Sequence, residues 1–168
     1  MMKQNASLDA SFWFNAYEAQ VVGFLPNYYN LFVCRAVADE ILYAKRVLGV
    51  PSPACELFRD WQKQGIVTLS EPRQPVDWFD SGENYAIALA MEQGYRLLID
   101  DGAPYHYAKS KGITVHGTAE FIVFLYRRDL LTYKDALARI AGLEINKRMQ
   151  RVAMRALALL AQAKGDRK

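Results

Sequence analysis

Five carboxylates carry the chemistry that this sequence offers. Asp9 closes a short apolar run, Asp100 and Asp101 close another at Leu97-Leu98-Ile99, and Glu40 and Glu83 lie in helical segments between them. Acids that converge from such distant positions form an all-oxygen donor set, and hard divalent cations such as Mg²⁺ and Mn²⁺ prefer oxygen. Three or four carboxylates can hold one or two such ions and leave positions for water and phosphate. No His or Cys is needed. Rival signatures are absent: there is no P-loop, no Gly-x-Ser-x-Gly elbow and no His-Glu-x-x-His pair. His106 and His116 fall in different elements and read as structural or surface groups. Cys34 and Cys55, both in segments that read as helical, lack the spacing of a zinc knuckle or a redox pair. A thiol nucleophile at Cys34 would need a histidine brought to it by the fold.

Each acid also has a plain structural reading. Asp9 could accept backbone hydrogen bonds at the start of the next helix. Asp80-Ser81-Gly82-Glu83 has the form of a capping box. Glu40 alone reads as a solvated helix flank. Asp100-Asp101 is harder to account for this way, because like charges at one strand end repel and need a cation or donors to hold them. Both readings stay open for the single residues, and the constellation is stronger than its members.

The elements that must position these acids follow from periodicity and punctuation. A short strand leads into Leu8-Asp9-Ala10, an aromatic-rich helix runs from Ser11 towards Gly23, and Leu31-Phe32-Val33 reads as a second strand. Helices lie on either side of Gly49 and Pro51, and Ile66-Val67-Thr68-Leu69 is a strand. A loop holding Pro72 and Pro75 reaches a helix that starts near Ser81 and is stopped by Gly94. Arg96 to Ile99 is a buried strand, Gly102 to Ser110 a helix, Ile113-Thr114-Val115 a strand, and the remainder is helical.

Short apolar strands alternating with amphipathic helices predict an α/β fold: a single domain with a mainly parallel central sheet flanked by helices. Strand order does not follow from the pattern. Ligands of such sheets gather beyond the carboxyl ends of the strands, where Asp9 and Asp100-Asp101 stand. With Val37, Ile41, Ala44 and Leu48 as the buried stripe of one helix, Glu40 falls on its flank and Asp39 points away. In the Ser81 helix the stripe Ala86, Ile87, Ala90, Met91 and Gly94 runs back onto Glu83.

A chain of 168 residues, 52% hydrophobic and 23% charged, is long enough for one full core. Its net charge of +3 does not demand a polyanionic partner. The distribution says more: residues 1–143 carry 14 Lys and Arg against 16 Asp and Glu, whereas residues 144–168 carry 7 against 2. We therefore divide the chain into a body, 1–143, and a basic amphipathic C-terminal helix, 144–168, packed on the body or on a partner. Arg148, Arg151 and Arg155 form one stripe of that helix, and Val152, Ala156, Leu159, Leu160 and Ala163 form its apolar face. No stretch approaches a membrane span and no export signal is seen, so a reducing cytoplasmic setting is expected.

The ordered set Leu8-Asp9-Ala10-Ser11, Val37-Ala38-Asp39-Glu40-Ile41, Gly82-Glu83-Asn84-Tyr85-Ala86-Ile87-Ala88-Leu89-Ala90 and Leu97-Leu98-Ile99-Asp100-Asp101 resembles the PIN-domain family. The likeness is nearest to a little-characterised bacterial and archaeal subgroup related to VapC toxins, in which a segment like Ala108 to Gly117-Thr118 follows. It covers roughly residues 6–131 and leaves the C-terminal helix unmatched. The resemblance implies a metal-dependent ribonuclease using Mg²⁺ or Mn²⁺. It makes Asp9, Glu40, Glu83 and Asp101 the catalytic acids, and these four with Asp100 the metal site. Glu83 stands where better-known members have aspartate. Ser11 matches a small hydroxyl residue near the first aspartate.

The carboxylates would repel an RNA backbone without an ion between them. With one, a bound water is acidified and aligned with the phosphodiester. Arg148, Arg151 and Arg155 would contact phosphates or an acidic partner, and a few of Trp13, Trp61, Trp78 and the tyrosines could stack on bases, most being core or interface. Expected partners are RNA, an antitoxin protein if the chain is the toxin of a toxin-antitoxin pair, and a second copy in a homodimer. The alternative is a catalytically inactive PIN-like module that binds RNA or protein. A receiver-like phospho-acceptor is disfavoured, since that family pairs its acids on the first strand.

Overall fold

Ala6, Ser7 and Leu8 are all buried, a run without alternation that a strand sustains only when both its faces are covered. They end β1 (Gln4–Leu8), which is followed by α1 (Ala10–Glu18), a 3-10 turn (Val22–Phe24) and the short α2 (Leu25–Tyr28). β2 (Tyr29–Val33) leads into α3 (Arg35–Tyr43). β3 (Arg46–Val47) and β4 (Val50–Pro51) form a small antiparallel ribbon before α4 (Pro53–Lys63) and β5 (Val67–Leu69). α5 (Ser81–Gln93), β6 (Arg96–Leu98), α6 (Gly102–Ser110) and β7 (Val115–His116) alternate, and α7 (Thr118–Arg127), α8 (Tyr133–Gly142) and α9 (Lys147–Lys164) follow. This computed structural model describes residues 2–43, 46–47 and 50–166.

The central sheet has the order β5-β2-β1-β6-β7, with every pairing parallel. The α/β fold expected from the sequence is therefore the observed one. The order places a switch point between β1 and β6: from β1 the chain steps outward through β2 to β5, then returns to the other side of β1 and steps outward again to β7. Connections that diverge from adjacent strands leave a crevice at their carboxyl ends. Asp9 follows one of those two strands and Asp100-Asp101 closely follow the other. Asp9 N–H still donates to Leu98 O at 2.9 Å, so the two ends are tied together at that level.

Several expectations are corrected. α1 stops at Glu18 instead of running towards Gly23, because Gln20 adopts a left-handed conformation (φ 56°) and turns the chain. Cys34 lies between β2 and α3, not in a helix, while Cys55 is in α4 as expected. The helix expected to reach Leu48 ends at Tyr43, and the ribbon of β3 and β4 takes its place; Ala44, Leu48 and Gly49 lie outside the described residues. The last strand is shifted to Val115–His116.

Met91 is 45% exposed and leaves the α5 stripe, whose burial instead spreads around Ala86 to Ala90. In α9 the buried residues are Gln150, Ala153, Leu157 and Ala161, whereas Val152 and Leu159 are 64% and 60% exposed and Ala163 is exposed as well. The docking face is thus rotated relative to the expected one. α7 and α8 receive it, and their surface selects small residues and the amide of Gln150, which donates to Ile140 O and Ala141 O.

The core behind the crevice is aromatic. Trp13 of α1 is fully buried, its Nε1 donates to Ala54 O at 3.1 Å, and Phe58 and Trp61 of α4 pack edge-on against it. α1 is thereby anchored on the side away from the face that carries Ser11 and Asn15.

Candidate functional site

Asp9 is the N-cap of α1 and 2% exposed. Its Oδ2 accepts from Ser11 N at 2.9 Å and from Ser11 Oγ at 2.5 Å. The structural role open at the sequence level is therefore real. It occupies only one oxygen: Oδ1 is buried and has no hydrogen-bond partner. A buried carboxylate oxygen without a donor is costly, and it is what a ligand for a cation looks like before the cation is added.

Ser11 links the two strand ends, since its Oγ also accepts from Asp100 N at 3.1 Å. Asp100 is buried and fully engaged. Its Oδ1 accepts from Thr118 N at 2.6 Å, and its Oδ2 accepts from Thr118 Oγ1 at 2.6 Å and from Asn15 Nδ2 at 2.8 Å. Gly117 makes room for this, because a Cβ there would meet Asp100 Oδ1 at 2.9 Å. Asp101 is exposed and N-caps α6 without a side-chain cap bond. Asp100 therefore faces the core, whereas Asp101 is exposed and stands close enough to Asp9 and Glu83 to raise both.

Glu40 and Glu83 approach from α3 and α5. A Cβ at Gly82 would meet Glu40 Oε2 at 2.5 Å, so the glycine is what lets the Glu40 carboxylate lie over the start of α5. Glu83 Oε2 accepts from Asp80 N at 3.3 Å, one arm of the expected capping box. The cap and a place among the acids coexist for Glu83 as they do for Asp9.

Four of the acids are held above their ordinary titration range. Burial pushes Asp9 up first, and the charge of Asp101 adds to it. Glu40 is raised by burial and then by Asp9 and Asp80. Glu83 is raised to about 7 by burial and then by Asp101 and Asp9. Asp100 is raised to about 6 by burial, although its bonds from Thr118 and Asn15 pull it back. Like charges push one another apart, and among the described residues no three His, Cys, Asp or Glu side chains stand close enough together to share one ion. The donor set nonetheless suits a hard divalent cation: it is all oxygen, mutually repelling, and contains an orphaned buried oxygen.

Of the five candidate acids, Arg148 shares a cleft with Asp100 alone. A cleft of about 350 Å³ is lined by Asp100, Gly117 and Arg148 together, and the turn of Glu144, Ile145 and Asn146 that starts α9 borders Ser11 and Asp101. Arg151 and Arg155 are exposed further along α9 and do not line it. His116 lies outside the site: Arg96 donates to its Nε2 at 2.6 Å and Tyr29 Oη lies 3.0 Å from Nδ1. Burial and the Arg96 charge lower it to about 4, so it stays neutral. Cys34 is buried, and burial pushes its thiol up to about 12, far from a nucleophilic thiolate. Asn15 was missed by the sequence reading, although its spacing of one helical turn from Ser11 was a usable signal. Thr118 was noticed only as part of a motif.

A parallel α/β domain whose switch point is walled by carboxylates is defined by fold and site alike. A profile described as a PIN domain matches residues 8–160, and the chain belongs to the PIN-domain family. PIN domains are usually nucleases and typically depend on divalent metals. Among solved structures, the fold is similar to a PilT N-terminus domain protein from the hyperthermophilic archaeon Sulfolobus solfataricus P2, with TM-score 0.51 and 18% identity over 69% of this chain and 88% of that one. No curated protein matches the chain in sequence. The profile reaches into α9, which the sequence resemblance had left unmatched.

Proposed function

We propose that this chain is a Mg²⁺- or Mn²⁺-dependent endoribonuclease that cuts RNA in the crevice between β1 and β6. The observation that carries the reading is the buried, unpartnered Oδ1 of Asp9 at the switch point, on a carboxylate within electrostatic reach of Glu40, Glu83 and Asp101. In this reading Asp9 and Asp101 are the first ligands, with Glu40 and Glu83 completing the set. Asp100, both of whose oxygens are taken, positions Thr118, Asn15 and Ser11 around the ligands. An ion held by these residues would supply a Lewis acid for the phosphate and an acidified water.

The wider reading makes the chain the toxin half of a toxin-antitoxin pair, acting in the cytoplasm as a homodimer. It is supported by the likeness to the VapC-related subgroup and by the exposed stripe of Arg148, Arg151 and Arg155, which suits phosphates or an acidic antitoxin segment. No helix among the described residues is long and apolar enough to cross a membrane.

The test is calorimetric titration of Mn²⁺ into the protein, followed by incubation with mixed single-stranded RNA in Mn²⁺ and in EDTA. Binding and EDTA-sensitive fragments are expected; cleavage that persists in EDTA, or a folded protein that binds no Mn²⁺, would sink the reading. Ser11→Ala gives a graded check. It removes the donor to Asp9 Oδ2 and the acceptor of Asp100 N, and is expected to cost about 1–2 kcal/mol, a fall in melting temperature of about 3–6 °C. Cleavage should fall about tenfold, as for an outer-shell partner.

A further inference from the structure

We infer that Trp78 is a stacking platform for a base of the RNA strand next to the bond being cut. The inference rests on the ribonuclease reading above and deepens it. Trp78 is 72% exposed, while Trp13 and Trp61 are buried. A large apolar side chain in water is ordinary on a loose loop, but the backbone that carries this one is held. Trp78 N and Phe79 N both donate to Asn84 Oδ1, at 3.2 and 2.9 Å, and Asn84 Nδ2 donates back to Phe79 O at 2.5 Å. Val76 N adds a bond to Asn84 O at 3.3 Å, and the Phe79 ring packs edge-on against Tyr107 at 5.3 Å. The backbone under the indole is therefore ordered before any ligand arrives, so little backbone entropy remains to be lost on binding.

Its place is set by the topology. β5 is parallel to the other strands, so the loop that follows it leaves the sheet at the carboxyl edge, and α5 must begin at that edge to run back to β6. Trp78 stands two residues before Asp80, the N-cap of α5, whose charge acts on Glu40. Two residues of chain span at most about 7 Å. The backbone of Trp78 is thus beside the acidic crevice and not in it.

The chemistry favours stacking at this position. A Lys or Arg beside the carboxylates would compete with the divalent cation for them, whereas an indole holds a base by its π-face and adds no charge. Stacking tolerates any base, so the platform provides grip and register more than sequence choice.

The experiment measures binding of labelled short oligoadenylate and oligouridylate by anisotropy in Ca²⁺, and cleavage of the same strands in Mn²⁺, for wild type, Trp78→Ala and Trp78→Phe. Trp78→Ala is expected to weaken binding of both strands about tenfold, within the roughly 5- to 150-fold span of one lost stack, and to raise KM with kcat held. Trp78→Phe should keep most of the affinity. RNA should quench the exposed indole emission in wild type, and that quenching should vanish in Trp78→Phe. Wild-type cleavage with unchanged binding and KM in Trp78→Ala overturns this inference alone, as does a Trp78→Ala protein that changes oligomeric state but binds RNA normally. A wild type that neither binds nor cuts either strand overturns the nuclease reading and this inference with it.

Discussion

Asp9→Asn is expected to abolish metal-supported cleavage, by more than the roughly 10–100-fold that loss of an outer-shell partner costs, while the protein stays folded. Asparagine has nearly the shape of aspartate, and its carbonyl oxygen can still accept from Ser11 N and Oγ. What it replaces is the buried, unpartnered Oδ1, which becomes an amide with no lone pair for a cation. It also removes one negative charge from a field that raises Glu40, Glu83 and Asp100. Melting temperature without metal should therefore hold or rise, and calorimetry should show Mn²⁺ binding lost. Undiminished cleavage by Asp9→Asn would remove the assignment. If Asp9→Asn changes nothing while Arg148→Glu, Arg151→Glu and Arg155→Glu together remove function, the chain is an RNA- or protein-binding module without catalysis.

Divalent metal is expected to stabilise the protein strongly at pH 7.5 and hardly at all at pH 5. A carboxyl whose folded pKa lies above its unfolded one binds its proton more tightly when folded. Stability without metal then falls as pH rises through that window: from 3.8 to about 6 for Asp100 and from 4.5 to about 7 for Glu83. Asp9 and Glu40 act in the same direction. His116 opposes them: lowered from 6.5 to about 4, it contributes stability above 6.5 that is lost as pH falls towards 4. Its contribution is equal with and without metal, so it cancels in the difference between the two melting curves.

What remains is the competition of protons and metal for the same oxygens, since only deprotonated carboxylates ligate. Mn²⁺ at a hundred times its dissociation constant adds about 2.7 kcal/mol, about 5–10 °C in melting temperature. That shift should shrink towards zero between pH 7.5 and 5 and be absent from Asp9→Asn at every pH. A metal shift that is independent of pH would mean that the ion binds elsewhere.

Much of this was legible in the sequence because it is local. Asp9 follows a run of buried strand residues, Asp100-Asp101 closely follow another, and Glu83 sits three residues after Asp80 at a helix start: adjacency and spacing of that kind survive any tertiary arrangement. The same locality made both roles of these acids visible without choosing between them. The structure did not choose either, because a carboxylate has two oxygens: Asp9 caps with one and leaves the other unpartnered, and Glu83 caps while standing in the acidic field.

The remaining features depend on which distant segments meet. Strand order is a matter of long-range pairing, and it alone puts the switch point between β1 and β6 and so turns two acidic strand ends into one crevice. The split between Asp100 and Asp101 follows from Thr118 and Asn15, which arrive from α7 and α1. The buried face of α9 was misjudged because Val152 and Leu159 are as apolar as any core residue. Which stripe is covered is decided by α7 and α8, whose surface accepts the smaller Ala153 and Ala161. The three tryptophans are equal in composition, yet packing buries two, and the Asn84 clamp holds the backbone of the third at the rim of the acids. Residue types and spacing thus determined the candidate chemistry and the class of fold, whereas burial and pairing, which are properties of the whole chain, decided which oxygens are left for a ligand.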